Sequence, residues 1–116
     1  MAGIIGRAEN RAMVRVLSFD LRPLENLDLA SFGIIALLDT QPGTGNNSLP
    51  SHRLPDIVID HHPPRPLSAE VPWCDIRPEF GASCTIVWRY LKQAGIELTA
   101  DLATAFLYGV KTETRD

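Results

Sequence analysis

The chain is poor in cysteine, in positive charge and in long apolar runs. Its two cysteines, Cys74 and Cys84, do not form a Cys-x-x-Cys pair, so thiolate metal binding has no motif to rest on. They read as small buried hydrophobes. No apolar stretch approaches the roughly 18 residues of a membrane span. No charged segment followed by an apolar one marks a signal peptide. Eleven Lys and Arg stand against fourteen Asp and Glu, for a formal net charge of −3, so bulk attraction to nucleic acid is not implied. There is no internal repeat and no run of like charge. What remains is 116 residues with 45% hydrophobic content, enough for the core of one small domain over 1–116. The expectation is a soluble cytoplasmic protein with no membrane partner.

Histidine is also scarce, which makes its placement informative. Two of the three histidines are adjacent, in Asp60-His61-His62. The trio follows the apolar run Ile57-Val58-Ile59 and precedes Pro63-Pro64. Adjacent side chains on a strand point to opposite faces. They can share a cleft only where the strand stops, and the prolines stop it here. A second strand exit has the same character. Phe32 to Leu38 is continuously apolar and ends at Asp39-Thr40-Gln41-Pro42. A run without alternation predicts a strand buried on both faces of a parallel sheet. In such sheets ligands bind beyond the carboxyl ends of the strands. Asp39 and Asp60-His61-His62 are therefore placed for chemistry. Asp with His suits Mn²⁺, Fe²⁺ or Zn²⁺.

The rest of the chain predicts alternating strand and helix. Ile4-Ile5 reads as a strand tail. Arg7 to Leu17 reads as a helix carrying Arg7, Arg11 and Arg15 along one face, either a solvated face or a phosphate-backbone contact. Gly43 to Ser48 is a loop, either a flexible connection or a ligand contact. Pro55 to Ile59 is a strand, Pro63 to Pro72 an irregular crossover, and Val71 to Ile76 an edge strand. Gly81 to Ala94 is a helix with Ile86, Val87, Tyr90 and Leu91 inward and Gly95 as its stop. Trp73 and Trp88 read as packing residues. Ser83 is either a helix cap or part of an anion-binding helix start. Thr99 should cap a last helix, Ala100 to Tyr108, whose apolar residues run nearly all round, as in a buried helix. That helix would deliver Lys111-Thr112-Glu113 toward the cleft. Lys111 is either a solvated charge or a phosphate clamp.

These segments together resemble the DHH phosphoesterases, a family that includes RecJ-type exonucleases, small-oligonucleotide phosphodiesterases and manganese inorganic pyrophosphatases. Asp39-Thr40-Gln41-Pro42 is similar to the family's second motif and Asp60-His61-His62 to its third. Gly81-Ala82-Ser83-Cys84-Thr85 resembles the helix start that follows. Tyr108 to Thr114 resembles the fourth motif, with Glu113 where Asp is usual and Asp116 as a substitute ligand. The first motif, His-x-x-x-Asp-x-Asp, is absent, as is the C-terminal substrate-binding domain. The chain is thus expected to be part of a longer enzyme.

The resemblance implies an α/β, three-layer, parallel-sheet DHH-type domain, incomplete here. It implies hydrolysis of phosphodiester or phosphomonoester bonds in short oligonucleotides or nucleotides, with two Mn²⁺ ions in the complete enzyme and Mg²⁺ as a substitute. Asp39, His61 and Glu113 would hold metal. Asp60 would orient a histidine ring, and His62 would face the scissile phosphate. Lys111 and Ser83 would contact substrate. A non-catalytic nucleotide- or metal-binding module is the alternative, and a purely structural segment a third reading. An exposed sheet edge would favour self-association as a homo-oligomer. The 116 residues alone are expected to bind metal weakly and hydrolyse little.

Overall fold

The computed structural model describes residues 7–114. Ile4-Ile5 and Asp116 lie outside them. Helix α1 (Ala8–Val16) is followed by two short 3-10 turns and strand β1 (Ala36–Leu38). Strand β2 (Ile57–Asp60), a 3-10 turn over Pro66–Glu70 and strand β3 (Trp73–Ile76) come next. Helices α2 (Ser83–Gln93) and α3 (Ala100–Thr114) complete the chain. The sheet is fully parallel in the order β1-β2-β3. The chain is therefore α/β, with its central strand the one that ends in Asp60. No helix among the described residues is long and apolar enough to cross a membrane.

Register is set by side chains as well as by the ladder. Leu38 pairs with Ile59, so Asp39 and His61 leave neighbouring strands at the same sheet end. At the other end Asp56 accepts a hydrogen bond from the Ile35 backbone N–H at 2.9 Å and pairs with Arg53 at 2.9 Å. The Ile35 bond first, and Arg53 next, hold the Asp56 carboxyl below its ordinary value of 3.8. A lowered folded-state value means stability that is present above the unfolded value and is lost as pH falls through the folded one. Asp56→Asn should therefore melt below the parent at pH 7, and the two melting curves should converge in acid. A melting gap of constant size from pH 7 down to pH 3 would contradict this.

Helix ends follow their sequence signals. Thr99 Oγ1 accepts from Leu102 N at 3.1 Å, a side-chain cap on α3. Gly95, at φ +72°, closes α2. Its N–H bonds Lys92 and that of Ile96 bonds Leu91, the paired bonds of a Schellman motif. α2 and α3 approach closely, because a Cβ at Gly109 would lie 2.5 Å from Cys84 Sγ.

Several expectations need correction. The apolar run Phe32 to Leu38 forms only a three-residue strand, and Ile34 and Leu38 are exposed. The reason is position: β1 lies at the sheet edge, while α2 packs on central β2. Helix α3 extends to Thr114 and has no buried residue, because α2 covers one of its faces and the remaining apolar faces stay open. Cys74 is exposed on edge strand β3 and Cys84 half-buried. Trp73 and Trp88 do pack, against Tyr90 and under Lys92, but each keeps an exposed face.

The fully enclosed interior is small. Val58, Val71, Ala82 and Ile86, with Pro42 and Pro55, form its apolar part. Beside them lie four buried polar residues, Gln41, Asp60, Ser68 and Ser83. Buried polar groups cost free energy unless fully hydrogen-bonded. All four belong to, or directly support, the group of side chains at the carboxyl end of the sheet.

Candidate functional site

Asp39 begins the site with a backbone device. Its φ is +65°, a left-handed conformation that Asp tolerates better than most residues. Such a conformation costs on the order of 1 kcal/mol in a non-glycine residue. Its N–H still bonds Ile59 C=O at 2.9 Å, so the ladder continues while the chain turns. The turn leaves the carboxylate over the strand ends, where Ser83 Oγ donates to Oδ1 at 2.9 Å. Ser83 is thus the first residue of α2 but not its cap. The cap position is Ala82, with no side-chain bond.

His61 is the centre of the arrangement. Its Nδ1 lies 3.2 Å from the Phe80 carbonyl oxygen. A carbonyl only accepts, so Nδ1 carries a proton; with that proton alone the ring presents a lone pair at Nε2. That Nε2 is buried without a hydrogen-bond partner. It lies 3.3 Å from Asp39 Oδ1 and 3.7 Å from Glu113 Oε2. A ring nitrogen and two carboxylates converge, an arrangement that repels unless a proton or a metal cation lies between them. Ligand atoms about 2.1 Å from one ion sit roughly 3 Å apart, close to these separations. The two separations from Nε2 therefore suit a divalent ion held by His61 with Asp39 or Glu113.

Asp60 works differently. It is 1% exposed. Its Oδ1 accepts from His61 N at 2.9 Å and from His62 Nδ1 at 2.8 Å, and its Oδ2 from Gln41 Nε2 at 2.7 Å. Burial pushes its pKa up, but the bonds from Gln41, His62 and the backbone outweigh burial and hold it below the usual value. In turn Asp60 is the main reason the His62 imidazole holds its proton above the ordinary 6.5. Ligand atoms of Asp39, Asp60, His61 and His62 all lie within 4.8 Å of one another. The oxygens of Asp60 are already taken, so its geometry suits orientation more than coordination.

In the sequence Gln41 stands only as part of a motif, yet it organises the site. It is 1% exposed. Its Nε2 also donates to Pro63 O at 3.1 Å, and its Oε1 accepts from Arg65 N and Ser68 Oγ, both at 2.8 Å. One side chain thus ties the first strand exit to the Asp60-His61-His62 turn. The signal was a polar residue at the strand end, but nothing in the sequence names its partners. The Phe80 carbonyl was equally invisible, because any residue carries one.

Glu113 reaches the site from the last turn of α3 rather than from beyond the helix. Lys111 is exposed, and two residues along a helix place it on the side away from Glu113; its ammonium makes no ion pair among the described residues. Cys84 is near, but burial first, then Asp39 and Glu113, push its thiol up, so it stays neutral and is a poor metal ligand.

The chain is 40% identical over 114 residues to an uncharacterized protein of Methanocaldococcus jannaschii, in a match covering 97% of this chain and 23% of that protein. It is 37% identical over 59 residues to an uncharacterized protein of Mycoplasma pneumoniae, covering 51% of this chain and 18% of that protein. The chain spans about a quarter or less of the length of these curated relatives. No protein-family model matches it, and no solved structure matches it.

Proposed function

We propose that the protein is a DHH-type, metal-dependent phosphoesterase acting on phosphodiester or phosphomonoester bonds of short oligonucleotides or nucleotides. The observation that carries the reading is the unpartnered Nε2 of His61, facing two carboxylates at the carboxyl end of a parallel sheet. The order of the motif-like segments supports the same reading, with the three-layer DHH architecture as its fold. Mn²⁺ suits the mixed Asp, His and Glu donors, and Mg²⁺ is the substitute. In the complete enzyme a pair of such ions would supply charge for a phosphoryl oxygen and make a water nucleophilic.

The chain's own residues divide the remaining work. Asp39, His61 and Glu113 lend donor atoms, with Phe80 fixing the tautomer of His61. Ser83 holds the Asp39 carboxylate in place. Asp60 orients the His62 ring and favours its protonated form. His62 is half-exposed, and its outward Nε2 can give a proton to a leaving oxygen. Lys111 has no part in this account.

The test is hydrolysis of a short oligonucleotide by the full-length protein. Turnover is expected with Mn²⁺, should stop with a chelator and return on adding Mn²⁺ back. Asp39→Asn should reduce it by about 10²-fold or more, as loss of a group that stabilises transition-state charge does. Metal binding without turnover would favour the non-catalytic module. Neither binding nor turnover would remove the proposal.

A further inference from the structure

Phe80, whose carbonyl accepts from His61 Nδ1 at 3.2 Å, is itself held from outside the cleft. Its N–H donates to the Arg77 carbonyl at 3.1 Å, and the Arg77 N–H donates to the Asp60 carbonyl at 2.9 Å. The turn from Arg77 to Phe80 is thus tied to the last residue of β2. The Arg77 guanidinium lies 5.9 Å from the centre of the Phe80 ring, and that of Arg89, from α2, lies 5.3 Å from it. Both are within the ~6 Å over which a cation and an aromatic face attract. Asp75 fixes the first of them. One of its oxygens accepts from Arg77 Nε at 2.7 Å and the other from the Tyr90 hydroxyl. The space among Arg77, Phe80, Arg89 and Tyr90 is about 70 Å³, well below the ~300 Å³ of a small-molecule pocket. These side chains therefore hold one another rather than a ligand.

The consequence falls on His61. A neutral imidazole can carry its proton on either nitrogen, and the hydrogen bond made by one of them decides which. With the proton on Nδ1, toward Phe80, Nε2 offers a lone pair to the space before Asp39 and Glu113. With the proton on Nε2, the same nitrogen donates to Asp39, 3.3 Å away, and has nothing to offer a metal. The Phe80 carbonyl separates the two forms. Phe80 is only half-buried, so the two arginines supply a hold that the interior does not.

We propose that Arg77 and Arg89 are positioning residues for the metal-facing nitrogen of His61, acting through Phe80, with Asp75 as the anchor of Arg77. The proposal rests on the metal-dependent reading above, because an ion at Nε2 is what gives the tautomer a use. Neither arginine lends an atom to the site. Together they keep the Phe80 carbonyl where it holds the His61 proton on the far side of the ring from the carboxylates.

The test uses the full-length protein with ¹⁵N-labelled histidine, at about pH 9, well above the ordinary histidine range. The first readout is the His61 ring signals of metal-free protein, assigned by their loss in His61→Ala. The second is Mn²⁺ affinity by calorimetric titration. The parent should carry its proton on Nδ1. Arg77→Gln combined with Arg89→Gln should move most of the ring to the Nε2 form and weaken Mn²⁺ binding about 10-fold, the lower end for loss of a group that orients a metal ligand. Apparent affinity falls with the competent share, so the two readouts should move together. Arg89→Gln alone, at an exposed position, should fold as the parent does and move both by less. Arg77→Lys keeps the charge without the fork and should lose less than Arg77→Gln. Val71→Ala, a core substitution before the start of β3, should lower the melting temperature and change neither readout. Variants of the two arginines that melt lower while the proton stays on Nδ1 and Mn²⁺ affinity stays at the parent's value would overturn the proposal. So would a tautomer that moves without the affinity. A parent that binds no Mn²⁺ would remove the metal reading, and the ring signals alone would then decide whether the arginines hold His61.

Discussion

His61→Ala should abolish the response to Mn²⁺. Two readouts are expected to change together. Hydrolysis should fall by at least ~10²–10³, the range for loss of one strong transition-state contact, since a lost ion removes more than one contact. The melting temperature should also stop rising when Mn²⁺ is added. A ligand that binds only the folded state stabilises it by about 2.7 kcal/mol at a hundred times its Kd, so the parent should show a clear shift. The variant loses the nitrogen that faces Asp39 and Glu113, and two carboxylates alone make a weaker and less selective site. The apo variant should lose the stability of one buried ring and of the Nδ1 hydrogen bond to the Phe80 carbonyl, and nothing further at Nε2, which has no hydrogen bond to lose. A His61→Ala protein with the parent's Mn²⁺ response would show that the ion, if any, is held elsewhere.

The second large effect is expected from Gln41→Leu, and it concerns stability. Leucine has similar size but cannot bond. The substitution would leave Asp60 Oδ2, Ser68 Oγ, Pro63 O and Arg65 N without their partner. Arg65 and Pro63 lie at an exposed turn and can turn to water. Asp60 and Ser68 are 1% and 3% exposed and cannot. An orphaned buried polar group costs about 1–3 kcal/mol, more when charged, so the total loss should be roughly 3–5 kcal/mol. That is a large share of the ~5–15 kcal/mol typical of a domain. Urea unfolding at neutral pH measures it. A loss below about 1 kcal/mol would mean that water replaces the amide, and that Gln41 does not tie the two strand exits together.

The asymmetry between these two substitutions reflects two kinds of polar residue. Asp60 and Gln41 have a hydrogen bond at every side-chain polar atom and hold the turn in one shape. His61, Asp39 and Glu113 face one another with bonding capacity left over. Stability rests on the first group, and capacity for a ligand rests on the second.

Much of the site's location was legible because strand exits are local events. An apolar run, a stop at Pro63-Pro64 and a polar trio between them identify the carboxyl end of β2. The same pattern at Leu38-Asp39 identifies a second exit. Helix ends were legible for a similar reason, since Thr99 and Gly95 act on their own neighbours. Burial was less legible. The run from Phe32 to Leu38 looked like a doubly covered strand and α3 like a buried helix, yet Ile34 and Leu107 are 67% and 58% exposed. Hydrophobicity states that a segment favours cover. It does not state which segment covers it.

The sequence by itself determined a small α/β chain with two chemically loaded strand exits, because strand period, proline stops and caps depend on residues a few positions apart. Only the tertiary structure decided which exits meet and what each side chain does there. The parallel pairing of Leu38 with Ile59 puts Asp39 beside His61, and α3 brings Glu113 from far along the chain. Gln41 and the Phe80 carbonyl acquire roles only once folding places them against Asp60 and His61. Hydrogen bonds and ion binding depend on separations of a few ångströms, and between residues distant in sequence those separations are set by packing alone.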